Sequence, residues 1–342
     1  SGVELDDLLN RAAGIDSNNA ALLGATMAEL ALAGRDKLSL LISPGIASFG
    51  NWVEQLIAES TGKNGRGILP VVSEPVNHAK FYGNDRLFVY LKLKGDTDFV
   101  QLAVDLEQAG YPVVRMQMSS TYDLGKQMFL WELATAIAGA RLEINPFDQP
   151  NVESAKVLAR EMVSTYLEQG QLPRLEAAQA FDGITVFPDQ SGKVEGLQSA
   201  RQVINQFVAE ATPGAYISLQ AYIQPTIKAE QALQALRAQL RDKTKLATTL
   251  GYGPRFLHST GQLHKGDAGR GMFIQLTMDA GPYLPIPDGP GSEKSGIDFG
   301  VLKQAQALGD RQALVDTGRR VLRLDLGQEP DISLQGLIST ED

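Results

Sequence analysis

Cysteine is absent from the 342 residues, and histidine (three) and tryptophan (two) are scarce. Without cysteine there is no disulfide scaffold, no thiolate metal site and no thiol nucleophile. The same absence suits a reducing compartment, and the cytoplasm is the expected location. Apolar runs are short, and none approaches the roughly 18 residues that cross a bilayer as a helix, so no membrane association is expected. Basic side chains are the minority, 31 against 40 acidic, for a net charge of −9. That balance argues against nucleic acid as a partner. What remains is a chain with 43% apolar residues, enough for sizeable cores, and a composition that excludes collagen, coiled coil and disorder. At roughly 150 residues per domain, the length suggests two domains or three.

The hydrophobic pattern alternates between short apolar runs and longer amphipathic ones. A helical pattern from Leu5 to Ala33 stops at Gly34. Strands are predicted at Lys37–Ser43, Ile68–Ser73, Arg86–Leu93 and Tyr111–Met118. Helices are predicted at Ala47–Glu59, Asp96–Gly110, Asp123–Leu142 and Pro150–Gln169. Such alternation predicts an α/β fold with a mostly parallel sheet covered on both faces. Gly170–Asp182 reads as a connector. A second α/β pattern then follows, with strands at Ile184–Phe187, Tyr216–Ile223, Gly271–Asp279 and Arg319–Leu326. Its helices are expected at Gly196–Ala211, Ala229–Lys243 and Phe299–Leu314. The proline- and glycine-rich Pro282–Gly296 reads as a loop. The expected division is 1–170 and 171–342.

Three stretches concentrate polar groups beside glycine. The first, Glu59-Ser60-Thr61-Gly62-Lys63-Asn64-Gly65-Arg66-Gly67, sets a carboxylate at a helix end. The negative end of the helix dipole disfavours an acid there, which suits it to take and return a proton. On pattern alone an exposed acid before a flexible turn is the plainer reading. The second is Asn145-Pro146-Phe147-Asp148-Gln149-Pro150, followed by Val152-Glu153 and Lys156. Asp148 or Gln149 can cap a helix with Pro150 in its first turn, and Lys156 can share a face with Gln149. A capped helix with a solvated lysine explains the same pattern. The third, Gly251 to Gly266, holds His258 and His264 among Arg255, Ser259, Thr260, Gln262 and Lys265. It reads as a dense polar loop facing a ligand, a partner or another part of the chain. The six-residue histidine spacing is not that of a helical zinc pair, and no third ligand stands out. An anion or sugar-phosphate contact is preferred there, beside a purely structural loop. His78 reads as an exposed turn residue. Gly65 and Gly67 lack the strand and the full glycine pattern of a nucleotide loop.

These residues resemble the phosphoglucose isomerase family. Glu59-Ser60-Thr61-Gly62-Lys63 is similar to the family's Glu-Ser-Asn-Gly-Lys, and Phe147-Asp148-Gln149 with Val152-Glu153 and Lys156 to its Phe-Asp-Gln…Val-Glu…Lys. The resemblance implies a flavodoxin-like, three-layer sugar isomerase (SIS) domain over 1–170, followed by a second, smaller α/β domain. It implies Glu59 as catalytic base, with Gln149 and Lys156 lining a sugar site. Ser48 to Ile57 and Gly253 to Gly266 look closer still to the isomerase part of transaldolase/phosphoglucose isomerase fusions. On that resemblance the chain is a carboxy-terminal part, without the family's first sugar isomerase domain and without the transaldolase domain. The phosphate loop and the arginine that steadies the enediolate go with the former. The family's ring-opening histidine has only His78 near its position, in a different context, so His258 or His264 is expected to take that role. Ser60, Thr61, Arg255 and Lys265 complete the expected substrate contacts. The implied partners are glucose 6-phosphate, fructose 6-phosphate and the missing domains. No metal or other cofactor is implied, and the oligomeric state is left open. The alternative is a non-catalytic module that binds sugar phosphates.

Overall fold

The computed structural model describes residues 18–192, 194–278, 281 and 283–338. The early part of the expected first helix, 5–17, lies outside them. The described residues form two compact units: those within 18–150 with Gln262–Ala268, and those within 151–261 with 269–338.

In the first unit the order is α1 (Asn19–Leu32), β1 (Lys37–Ile42), α2 (Phe49–Thr61), β2 (Leu69–Val71), β3 (Arg86–Leu93), α3 (Val100–Gln108), β4 (Val113–Met118) and α4 (Leu124–Arg141). All strand pairs are parallel, in the order β2-β1-β3-β4, which is the flavodoxin-like winding. A parallel sheet needs cover on both faces, so its strands read as nearly continuous apolar runs; Lys37–Ile42 and Arg86–Leu93 do so. One face carries Leu38, Leu40, Leu87, Val89 and Leu91 against α1, α2 and α4. The other carries Leu41, Phe88 and Tyr90 against Ala103 and Leu106 of α3. The unit is thus a three-layer α/β sandwich.

Local chemistry sets several boundaries. Asn18 caps α1, its side chain accepting from the backbone of Ala20 and Ala21 at 3.0 Å each. Helix α3 begins at Val100, not Asp96, because Asp96 Oδ1 accepts from Asp98 N at 2.8 Å and folds those residues into a turn. The strand expected over 68–73 is only three residues long. Buried polarity at the amino ends of the strands is paired. Arg86, fully buried on the α3 face, donates to Ser39 Oγ at 2.7 Å and to both oxygens of Glu74, at 3.0 and 3.2 Å.

In the second unit the order is α5 (Val152–Gln169), β5 (Gln179–Phe181), β6 (Ile184–Phe187), α6 (Ala200–Ala209), β7 (Tyr216–Tyr222), α7 (Ile227–Thr244) and β8 (Ala247–Tyr252). There follow α8 (Ser259–Gly266, shared with the first unit), β9 (Gly271–Thr277), a short pair β10 (Pro285–Ile286) and β11 (Ile297–Asp298), α9 (Phe299–Asp316), β12 (Arg320–Asp325) and α10 (Pro330–Leu337). The sheet order is β5-β6-β12-β9-β7-β8; the four strands β12, β9, β7 and β8 are parallel, and β6 and β5 add on antiparallel. Its apolar face packs on α6, α7 and α10.

Several expectations need correction. The connector 170–182 contains β5, and the loop 282–296 contributes to the pair β10–β11. Strand β8 and helices α8 and α10 have no counterpart in the sequence pattern. The division falls at Pro150, not 170. Helix α5 packs along α9 so tightly that Gly309 would place a Cβ 2.6 Å from the backbone nitrogen of Ala159. That contact takes α5 into the second unit, which becomes the longer of the two.

Candidate functional site

Glu59 lies in the last turn of α2, half-buried, and its carboxylate makes no hydrogen bond or ion pair with any described residue. The helix ends two residues later. Thr61 Oγ1 donates to Ile57 O at 2.7 Å and accepts from Ile68 N at 3.0 Å, joining the helix end to the start of β2. Gly62 follows as the cap. A Cβ at this position would lie 2.2 Å from Leu263 Cα, so glycine is dictated by close backbone approach.

The next four residues form a tight hairpin turn. Asn64 and Gly65 both have positive φ, 55° and 72°. Lys63 and Arg66 exchange backbone hydrogen bonds, both 3.0 Å. Two central residues at positive φ are what an Asn-Gly turn of this kind requires. The turn is anchored three times within the first unit. Lys63, 1% exposed, donates through Nζ to the backbone oxygen of Asp148 and to Asp148 Oδ1 at 3.0 Å. Arg66 donates to Leu142 O and pairs with Glu143 at 3.2 Å. From 262–268, Gln262 Nε2 donates to Gly62 O at 2.8 Å, and Gly65 N donates to Gly266 O at 3.0 Å.

The structure therefore brings three parts together in the first unit: the Glu59–Gly67 segment, Asp148 beside Gln149, and the end of α8. Ser60 is half-buried and Thr61 buried; Gln149 is exposed, as is Phe147 at 80%. Asp148 does not cap the following helix. The capping position is Asn151, without a side-chain cap, and Pro150 lies before the helix. Asp148 is drawn away by the ammonium of Lys63. Lys63, Asp148 and Gln262 were not read as site residues in the sequence; their partners are distant along the chain, and only the placement of Lys63 and Asp148 inside the two motifs hinted at a role.

The remaining candidates divide between the units. Lys156 is on α5 of the second unit, half-buried, 3.9 Å from Glu153 Oε2. Glu153 also pairs with Arg160 at 2.6 Å, and that hydrogen bond, chiefly, lowers its pKa. His258, exposed, and Arg255, half-buried, belong to the second unit. His264 and Lys265 are buried in α8 and belong to the first. The stretch 251–266 is thus not one polar loop, although its end does face another part of the chain, at Gly62 and Gly65. It is a strand end, a short 3-10 turn at Arg255–Leu257 and a helix whose polar residues are largely buried. His78 is exposed. Among the described residues no group of three histidine or acidic side chains is placed to hold a metal ion.

No family profile matches the chain. It is 30% identical over 182 residues to a probable glucose-6-phosphate isomerase of Methanococcus maripaludis, covering 43% of this chain and 41% of that protein. It is 29% identical over 186 residues to the glucose-6-phosphate isomerase of Acholeplasma laidlawii, covering 42% and 43% respectively. The matched part is less than half the length of these curated relatives. Among solved structures, a hypothetical protein of Thermus thermophilus aligns over 98% of this chain and 88% of its own, at 13% identity and a TM-score of 0.35.

Proposed function

We propose that this chain is the carboxy-terminal part of an aldose–ketose isomerase that interconverts glucose 6-phosphate and fructose 6-phosphate, within a polypeptide that also carries a transaldolase. The observation that carries the reading is the state of Glu59. It is a half-buried carboxylate with no described partner, at a helix end held rigid by Thr61, Gly62 and the Lys63–Asp148 bond. The similarity to glucose-6-phosphate isomerases at 29–30% identity supports it. The transaldolase fusion rests on the resemblance of Ser48–Ile57 and Gly253–Gly266 to the fused forms.

Ring opening comes first: the anomeric hydroxyl loses a proton and O5 gains one, roles given to Lys156 and a histidine, His258 or His264. Glu59 then removes the proton from C2 and returns it to C1 through a cis-enediolate. C1 is reduced and C2 oxidised within one molecule, so the step balances without an external oxidant. Gln149, Ser60, Thr61, Arg255 and Lys265 are the proposed sugar-phosphate contacts. Lys63 acts through Asp148, fixing the backbone next to Gln149.

In the full-length polypeptide, Glu59→Gln is expected to lower kcat by about 10²–10⁴-fold while sugar-phosphate affinity stays within a few-fold. Unchanged turnover would overturn the catalytic reading and favour a binding module. The chain alone is expected to be nearly inactive; turnover at the level of the full polypeptide would show that it needs no other domain.

A further inference from the structure

The sequence holds one Asn-Gly pair, Asn64-Gly65, and the fold sets it at the tip of the hairpin turn that follows Glu59. Such a pair is chemically labile, because glycine has no Cβ to hinder its own backbone nitrogen. That nitrogen attacks the side-chain amide carbon of the asparagine. A C–N bond forms, ammonia leaves, and a five-membered cyclic imide links the two residues. Water then opens the imide at either carbonyl. The product is aspartate, or isoaspartate, in which the main chain runs through the former side chain. The sum is amide plus water to acid plus ammonia, with no change of oxidation state.

The surroundings meet some of these requirements and withhold others. Asn64 and Gly65 are exposed, so water and hydroxide reach them. The Asn64 side chain makes no hydrogen bond with any described residue. The attacking atom, however, is engaged: Gly65 N donates to Gly266 O at 3.0 Å, and it must lose that proton to react. Ring closure also needs a rotation about the Asn64 Cα–C bond. The turn resists it, because Lys63 and Arg66 exchange backbone bonds across the pair. The segment 262–268 is itself tied to the turn by Gln262 Nε2, 2.8 Å from Gly62 O. Reaction therefore requires the end of α8 to leave the turn. Openings of this kind occur well short of global unfolding.

We propose that Asn64 is a modification site, deamidated through the cyclic imide at a rate set by opening of 262–268 from the turn. Isoaspartate lengthens the main chain by one carbon between Lys63 and Arg66, which a two-residue turn of this type does not accommodate. Either product adds a negative charge beside Lys63 and Arg66, the cations that anchor the turn to Asp148 and Glu143. The modification thus loosens the turn that follows Glu59. The proposal does not depend on the isomerase reading.

Mass spectrometry of the chain, kept folded in mildly alkaline buffer, tests it. Cleavage after glutamate yields the peptide 60–74, whose one side-chain amide is that of Asn64. It should gain the mass difference between an amide and an acid, and separate into aspartyl and isoaspartyl forms. The folded chain should react at least tenfold more slowly than the same peptide free in solution. That factor should match, within threefold, the protection of the Gly65 N–H against hydrogen exchange, since both reactions need the same opening. Gln262→Leu should raise the rate at least threefold. A folded chain that stays unmodified while the free peptide reacts overturns the site. A folded rate equal to that of the free peptide, or one unmoved in Gln262→Leu, overturns the gating. So does a rise in the variant that comes with equal exposure of the β1 and β3 amides, because global unfolding would then set the rate.

Discussion

Two buried polar clusters, one in each unit, are handled in opposite ways. In the first, the buried charges at the amino ends of the strands and at the Glu59 turn are matched over long sequence distances: Arg86 with Glu74 and Ser39, Lys63 with Asp148. In the second, a polar row crosses the parallel strands beneath α9. Register places Arg323, Gln275 and Gln220 side by side on β12, β9 and β7. Arg323 donates to Gln275 Oε1 at 3.3 Å and to Gln304 Oε1 at 2.9 Å, and Gln275 Nε2 donates to Ala307 O at 3.0 Å. Among the described residues, Gln220, fully buried next in the row, has no partner for either amide atom, and Tyr222 and Thr249 have none for their hydroxyls. Burial, the largest cause, lowers the pKa of Arg323 to about 10, and it raises that of Tyr222 well above the phenol value. A matched charge ties together two stretches of chain; an unmatched amide ties nothing, and its cost is borne by the packing around it.

The largest effect is expected where a matched pair is broken. Arg86→Met leaves Glu74 buried without its guanidinium, and loss of one partner of such a pair costs about 3–5 kcal/mol. Chemical denaturation should show a lower midpoint with an unchanged slope. A cost below about 1 kcal/mol would mean that Glu74 reaches water, and the contrast between the units would weaken. Gly62→Ala is next. Its Cβ meets the backbone of Leu263 at 2.2 Å, a clash that no rotamer change relieves. About 1–3 kcal/mol of overpacking is expected, concentrated at 262–268. Hydrogen exchange should speed up there before it does in β1 or β3, and uniform exchange would show the turn and the α8 end to be independent.

The same contrast explains what the sequence let one read. The strands and helices of the first unit announced themselves because both faces of the sheet are apolar: runs such as Lys37–Ile42 need no partner to be recognised. Glu59 and Gln149 were legible as parts of motifs. The bonds that hold their surroundings were not: Lys63 and Asp148 are 85 residues apart and Gly62 and Gln262 are 200 apart, and nothing local distinguishes such residues from solvated ones. Asp148 looked like a helix cap because capping is the local use of an aspartate, and a buried ammonium outcompeted it. Helix α8, Ser-Thr-Gly-Gln-Leu-His-Lys-Gly, looked like a loop because its polarity has no helical period; tertiary burial decided its state. Helix α10 opens on Pro330, a permitted first-turn position that reads equally as a break.

The smallest effect, and the sharpest test of the comparison, is Gln220→Met. If the amide is unmatched, an apolar side chain of similar volume removes a desolvation cost and adds dispersion contacts. Stability should then be unchanged or rise by up to about 1 kcal/mol. Had the same exchange been made at a matched group, the partner would be stranded and the sign would reverse. Thermal unfolding of the variant beside Arg86→Met therefore reads the contrast directly. A loss of more than about 1 kcal/mol at Gln220 would mean that its amide is engaged in the folded protein, and the two clusters would then follow a single rule.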